Sequence, residues 1–223
     1  MVKLEDCDPL TEEKIDEIFA RRKVILRGHF VYSAGGHGDV YIDKSEITFW
    51  PKETSILCRE IARQWRNFNV EVVVGPAIGG IKLADRVAEW LTNFLDREIP
   101  ALYTEKENRK QMQILKRGRD KVIGKNVLIV EDIINTGKSA KETVSACCEA
   151  GANVVGCHAL VNRNPGIVTA KTLGVPKLLA LKEMKVVNYS AEECPFCARR
   201  IPISTDRGHG AEYLKKHPEK ANW

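Results

Sequence analysis

Apolar residues along the chain follow two rhythms. Short runs, most of them rich in β-branched side chains, recur at 70–74, 100–103, 127–130, 154–161 and 178–181. Such runs suit strands buried on both faces of a sheet. Between them the apolar positions take helical spacing. Leu10, Ile15, Ile18 and Phe19 line one face with Arg22 beside them, and Asp8 with Pro9 reads as the cap and first position of that helix. Ile56, Leu57, Ile61 and Trp65 predict a second helix after Pro51, and Leu83, Val87, Leu91 and Leu95 a long third one. Ala140, Val144, Cys147 and Cys148 predict a fourth, stopped by Gly151. Val31–Tyr32 and 40–42 flank a glycine-rich turn at 35–38, the pattern of a β-hairpin. The polar run 104–110 predicts a mobile loop, 112–115 a short strand, and the tail from Cys194 is weakly patterned.

Strands alternating with helices define an α/β fold, a mostly parallel central sheet with helices on both faces. Ligands then bind beyond the carboxyl ends of the strands. The informative loops follow Val74, Tyr103, Val130 and Val161.

Composition narrows the setting. The 223 residues suit one α/β domain with a modest appendage, and 43% apolar content supports a real core. Lys and Arg number 35 against 30 Asp and Glu, a net charge of +5. That suits anionic small substrates and is too diffuse to argue for nucleic acid. No apolar run is long enough for a membrane-spanning helix, and MVKLEDCDPL has no signal-peptide core. Seven cysteines in no regular framework then point to reduced thiols and a cytoplasmic protein.

The chemistry concentrates at 126–150, NVLIVEDIINTGKSAKETVSACCEA. An apolar strand is followed by Glu131 and Asp132, then Ile133, Ile134, Asn135, Thr136, Gly137, Lys138 and Ser139, then a helix. A loop entering a helix offers free backbone N–H groups to a phosphate. Two carboxylates at a strand's edge accept hydrogen bonds from sugar hydroxyls, directly or through magnesium. A ligand with vicinal hydroxyls and one terminal phosphate is a ribose 5-phosphate. No Walker loop is present.

VLIVEDIINTGKS resembles the phosphoribosyl pyrophosphate (PRPP) signature of type I phosphoribosyltransferases. Gly75-Pro76-Ala77-Ile78-Gly79-Gly80 is similar to the pyrophosphate loop of the orotate phosphoribosyltransferases among them, although several bacterial members carry Lys near the position of Gly79. GHFVYSAGGHGDVYIDK resembles the family's segment over the base site. Gly28, His29, Phe30, Gly35, His37, Asp39 and Tyr41 match; Ser33, Ala34, Gly36 and Gly38 depart from its Lys/Thr, Ser, Arg and Ser. YTEKENRKQMQILKRG is similar to the catalytic loop of short-loop members, matching at Glu105, Lys106, Glu107, Lys116, Arg117 and Gly118. Arg163 matches an Asp-Arg pair that reads Asn162-Arg163 here, and Asn135 replaces the first Thr of the family's Thr-Thr-Gly.

The resemblance implies transfer of a 5-phosphoribosyl group from PRPP to orotate, giving orotidine 5′-monophosphate and pyrophosphate, a step of de novo pyrimidine and UMP synthesis. It implies PRPP contacts from residues 131–139, Ala77, Ile78, Gly79 and Lys106, with Glu131, Asp132 and Lys106 taking part in catalysis. Asn135, Arg163, Phe30 and Ser33 would meet the base. It further implies Mg2+ with PRPP, a homodimer with loop cations shared between subunits, and a single domain with its core at about 46–184 and a hood at about 1–45 and 185–223. Two alternatives stand beside it: the same chemistry on another base, to which Asn135, Gly36 and Gly38 point, and a PRPP-binding regulator without catalysis. His29 and His37 read as structural, each satisfied by local hydrogen bonds. Cys194-Pro195-Phe196-Cys197 is a weak zinc candidate that needs further ligands, with His209, Cys7 or a neighbouring subunit as sources.

Overall fold

The computed structural model describes residues 8–33, 35–107, 111–114 and 116–223. In chain order the elements are α1 (Glu12–Arg21), β1 (Ile25–Val31), β2 (His37–Ile42), α2 (Ser45–Thr48), α3 (Pro51–Trp65), β3 (Val72–Pro76), α4 (Gly79–Leu95), β4 (Ala101–Glu107), β5 (Gln111–Ile114), β6 (Asn126–Ile134), α5 (Lys138–Glu149), β7 (Asn153–Asn162), α6 (Ala170–Leu173), β8 (Leu178–Glu183), α7 (Pro195–Ala198) and α8 (Gly210–Lys216). The first helix starts later than Asp8 and Pro9 suggest. The Lys14 N–H donates to Thr11 Oγ1 at 3.3 Å, so Thr11 stands at the cap. The Leu10 N–H turns instead to the Glu60 carboxylate at 3.1 Å.

The main sheet has the order β5-β4-β3-β6-β7-β8. All neighbours in it are parallel except β5, which returns antiparallel beside β4. Strand β4 runs through Thr104 to Glu107, where polarity predicted the start of a loop. The reason is burial: Thr104 is enclosed, and its hydroxyl shares a 2.9 Å hydrogen bond with that of Thr143 on α5. Residues 108–110 of that expected loop lie outside the described residues, as do the side chains of Glu107, Lys116 and Arg117. Strand β6 likewise continues past its apolar run to Ile134, pairing Glu131 with Ala159 and Ile134 with Asn162. The acidic pair therefore lies inside the strand. Val127, Ile129, Val144, Cys147, Cys157 and Ala159 are among the residues that form the core between β6, β7 and α5. Burial pushes the Cys58 and Cys147 thiols up to about 12, which keeps them protonated and inert. Among the described residues no helix is long and apolar enough to cross a membrane.

The chain divides into two compact units, one of Met1–Ile18 and Ile47–Met184, the other of Phe19–Glu46 and Lys185–Trp223. The first holds the main sheet. In the second, β1 and β2 pair as the expected antiparallel hairpin, and the C-terminal segment runs along it, with bridges from His37 to Tyr189 and from His29 to Ile203. This packing explains two departures from the family pattern. A Cβ on Gly36 would collide with the Asn188 carboxamide, and one on Gly38 with the Tyr32 hydroxyl and the Val187 carbonyl.

Candidate active site

The β6–α5 connection is built for an anion. Gly137 precedes the helix with φ 75°, and a Cβ there would press on Val168 and Leu173, so both conformation and space require glycine. Gly137 at the N-cap has no side chain to cap the first turn, and the Lys138 N–H reaches Thr136 Oγ1 only at 3.4 Å, so the first-turn N–H groups are available to a ligand. Asn135, Thr136, Lys138 and Ser139 are exposed around a pocket of about 70 Å³, lined also by Glu131, Ile133, Ile134 and Gly137. Successive residues of a strand face opposite sides of the sheet. Glu131 lines the pocket, whereas Asp132 meets the β3–α4 turn, where a Cβ on Gly79 would strike its carboxylate. Both carboxylates are buried, with Asp132 Oδ1 accepting from the Ile133 N–H at 2.6 Å.

Residues 75–80 follow β3 with backbone in contact with backbone. A Cβ on Gly75 would strike Gly80, and one on Gly80 would press on Pro76 and the Val130 carbonyl. The Ala77 N–H donates to the Thr104 carbonyl at 2.7 Å, the peptide between Ala77 and Ile78 is cis, and the Ile78 side chain is 86% exposed. The turn thus offers backbone and little side chain to a ligand.

Beyond β7, Arg163 is half-buried, and its N–H donates to the Ile134 carbonyl at 2.9 Å, beside the anion loop. The Asn162 amide donates to the Val168 carbonyl at 3.2 Å and accepts from the Asn164 N–H at 3.0 Å. A carboxylate could not make the first bond, which accounts for Asn where the family has Asp. Asn164 was not singled out in the sequence, yet its Nδ2 donates to the Asn135 carbonyl at 3.1 Å and ties the two loops together. The signal was present in the repeated asparagines of Asn162-Arg163-Asn164 before Pro165-Gly166.

Lys106 extends from β4 toward α5, its Nζ 4.0 Å from Glu142 Oε2, while Lys138 approaches the other carboxylate oxygen of Glu142 at 3.9 Å. The first unit thus brings together residues 131–139, Ala77 to Gly79, Lys106 and Arg163. Phe30 and Ser33 belong to the second unit, where Phe30 is buried with its ring 5.5 Å from that of Tyr41 and Ser33 is exposed. Cys194 and Cys197 lie in that unit too, and their neighbours are His29 and His37. His209 is paired with Glu212 at 2.8 Å instead, and Cys7 lies outside the described residues. His29 is satisfied as expected, but His37 Nε2 is buried without a hydrogen-bond partner among the described residues.

A mostly parallel α/β sheet that carries an acidic pair into a glycine-led helix start fits a phosphoribosyl-handling protein, and the chain belongs to the phosphoribosyltransferase family: the family model "Phosphoribosyl transferase domain" matches residues 46–172. Among its relatives, the orotate phosphoribosyltransferase of Caldanaerobacter subterraneus subsp. tengcongensis is 36% identical over 194 residues, 87% of this chain and 96% of that protein. That of Thermotoga maritima is 33% identical over 196 residues, 88% and 98% of the two chains. The orotate phosphoribosyltransferase structure from Aeropyrum pernix superposes with a TM-score of 0.60 at 24% identity, covering 76% of this chain and 93% of that one, which shows the shared fold. A phosphoribosyltransferase from Corynebacterium diphtheriae gives 0.58 at 26% identity, with 77% and 95% covered.

Proposed function

We propose that the protein transfers the 5-phosphoribosyl group of PRPP to orotate, releasing pyrophosphate and forming orotidine 5′-monophosphate. The observation that carries this reading is the placement of Arg163 beside the Glu131–Ser139 cradle, held there by the Ile134 and Asn164 hydrogen bonds. The loop N–H groups hold the 5-phosphate, and the Glu131 and Asp132 carboxylates hold the ribose hydroxyls. The 75–80 turn and Lys106 receive the pyrophosphate. As the bond from the ribose carbon to pyrophosphate breaks, that carbon becomes oxocarbenium-like, and a fixed, charged cradle lowers the barrier by position and electrostatics. Arg163 pairs the orotate carboxylate, because a guanidinium fork fits it in two parallel bonds. Glu131 and Asp132 are hard oxygen donors that suit Mg2+, and they would hold it alongside PRPP. When bound, Mg2+ supplies charge neutralisation to the leaving pyrophosphate. The free, buried thiols of Cys58, Cys147 and Cys157 fit a reducing, cytoplasmic setting.

A second reading, the same reaction on another base, keeps one observation in its favour: exposed Asn135 stands where the family has Thr. Gly36 and Gly38 no longer support it, since the C-terminal segment and Tyr32 fill the space their side chains would need. Pyrophosphate release from PRPP, measured against a panel of bases, decides. Orotate is expected to be used and uracil refused. Arg163→Ala should lower kcat/KM for orotate about tenfold to a hundredfold, the worth of one charged hydrogen-bonded pair, with PRPP affinity little changed. Turnover with a purine but not orotate would establish the second reading. Tight PRPP binding with no turnover on any base would mark a regulator.

A further inference from the structure

Four potential ligand atoms converge in the second unit, and none belongs to a residue given a role in the phosphoribosyl chemistry. His29 Nε2, His37 Nδ1, Cys194 Sγ and Cys197 Sγ all lie within 4.8 Å of one another. Cys194 Sγ is 3.6 Å and Cys197 Sγ 3.7 Å from His29 Nε2, Cys197 Sγ is 3.4 Å from His37 Nδ1, and the two imidazole nitrogens are 2.9 Å apart. We propose that these four side chains form a tetrahedral zinc site that fastens the β1–β2 hairpin to the C-terminal segment.

Three observations carry the assignment. The first is metric. Zinc takes sulfur at about 2.3 Å and nitrogen at about 2.0–2.1 Å, so a tetrahedron sets nitrogen–sulfur edges near 3.6 Å and a nitrogen–nitrogen edge near 3.3 Å. Three of the four sulfur–nitrogen separations lie near that edge, and the two imidazoles need to part by only a few tenths of an ångström. The second is orientation. His29 Nδ1 lies 2.8 Å from the Ile201 carbonyl, which fixes its proton there and aims the Nε2 lone pair into the cluster. A second hydrogen bond of this kind is how ligating histidines are held. The third is enclosure. Cys194 is buried and Cys197 half-buried in the turn of α7. The Phe196 ring lies 5.7 Å from that of His29, and Tyr213 of α8 packs edge-on to His37 at 4.8 Å. Residues beyond Thr205 thereby acquire a task as the cover of the cluster. A site with four protein ligands leaves no position open for substrate, so the zinc is structural.

The fold has a use for such a fastening. The unit is assembled from two pieces far apart in the chain, and Cys194 is 165 residues from His29. Small units with few buried apolar side chains commonly depend on a metal or a disulfide. A Cys194–Cys197 disulfide would join near neighbours within one piece and leave the histidine lone pairs facing each other.

The full-length protein, purified without chelator from zinc-supplemented cells, is expected to hold about one zinc per chain by plasma mass spectrometry, and Cys194→Ser or His37→Ala to hold less than about a tenth of that. Cys148→Ser, an exposed thiol on α5, should leave the metal content unchanged. Wild-type protein gives a reading that does not depend on the variants folding. Stripped of metal and given Co2+ alone, it should show thiolate-to-cobalt charge transfer and the intense visible bands of a tetrahedral S2N2 site. Its Tm should fall by several degrees on stripping and return on addition of zinc alone. Wild-type protein with less than about a tenth of an equivalent of zinc, no cobalt charge-transfer band and an unmoved Tm would overturn the site. So would a Cys194–Cys197 disulfide in the protein as purified. None of these measurements reads catalysis, so their outcome stands apart from that of the base panel.

Discussion

Gly79 touches the Asp132 carboxylate so closely that any Cβ would displace it. The displaced atoms are the far end of a side chain, not backbone, so the fold can absorb the change while the carboxylate cannot keep its place. Gly79→Ala is therefore expected to leave Tm within about 2 °C and to weaken PRPP binding about tenfold or more, the loss of one charge-assisted hydrogen bond. Calorimetric titration with PRPP and magnesium checks it; unchanged affinity would remove Asp132 from the ribose site. The same contact forbids at this position the lysine that several bacterial relatives carry near it. At this scale the sequence was legible where a residue type has one use, as with the acidic pair, Gly137 and Arg163. It was not legible where identity is set by a distant neighbour. Gly36 answers to Asn188 and Asn162 to Val168, and no local pattern announces either. The gathering of His29 and His37 with Cys194 and Cys197 was hidden for the same reason, since the cysteines lie at the other end of the chain.

Strand β7 and helix α3 meet through a buried polar pair. Trp65 Nε1 donates to His158 Nδ1 at 2.9 Å, which places the ring proton on Nε2, a buried atom with no hydrogen-bond partner among the described residues. The indole lies where a Cβ on Gly156 would be. Burial pushes the His158 pKa down from 6.5 to about 3, against a small opposing pull from Glu60. The unfolded chain thus binds a proton that the folded protein refuses between those values. Stability is fully present above pH 6.5 and declines as pH falls toward 3, by about 1.4 kcal/mol per pH unit from this group. Urea unfolding at stepped pH should show the decline, and His158→Gln should flatten it between pH 6 and 4; equal slopes would refute the assignment. The elements themselves were largely readable, because β-branched runs and helical spacing are written locally. Their ends were not. Strand β4 outlasts its apolar residues because Thr104 finds Thr143, and β6 because β7 pairs with it as far as Asn162. Both extensions come from partners across the sheet or on a helix, which propensity does not register.

For the whole molecule the open matter is whether one chain completes a site. Lys106 lies 4.0 Å from Glu142 of its own chain, a long contact, and its own side chain is 45% exposed, so the lysine remains able to turn toward another ligand. We propose a homodimer in which Lys106 serves the partner's pyrophosphate site. Mixed dimers of Asp132→Asn and Lys106→Ala subunits should then recover part of the activity that each variant lacks alone, because one of the two hybrid sites is intact. Verified heterodimers with no recovery would refute the sharing. The order β5-β4-β3-β6-β7-β8 places Glu131 and Asp132 on an interior strand, hydrogen-bonded to β3 on one side and to β7 on the other. Edge strands fray first, and the amides of such an interior strand meet solvent only when the sheet itself comes apart. The carboxylates proposed to hold the sugar thus stand on an interior strand of the sheet, while the loops around them lie at its rim. The catalytic cycle can breathe without loosening its own foundation.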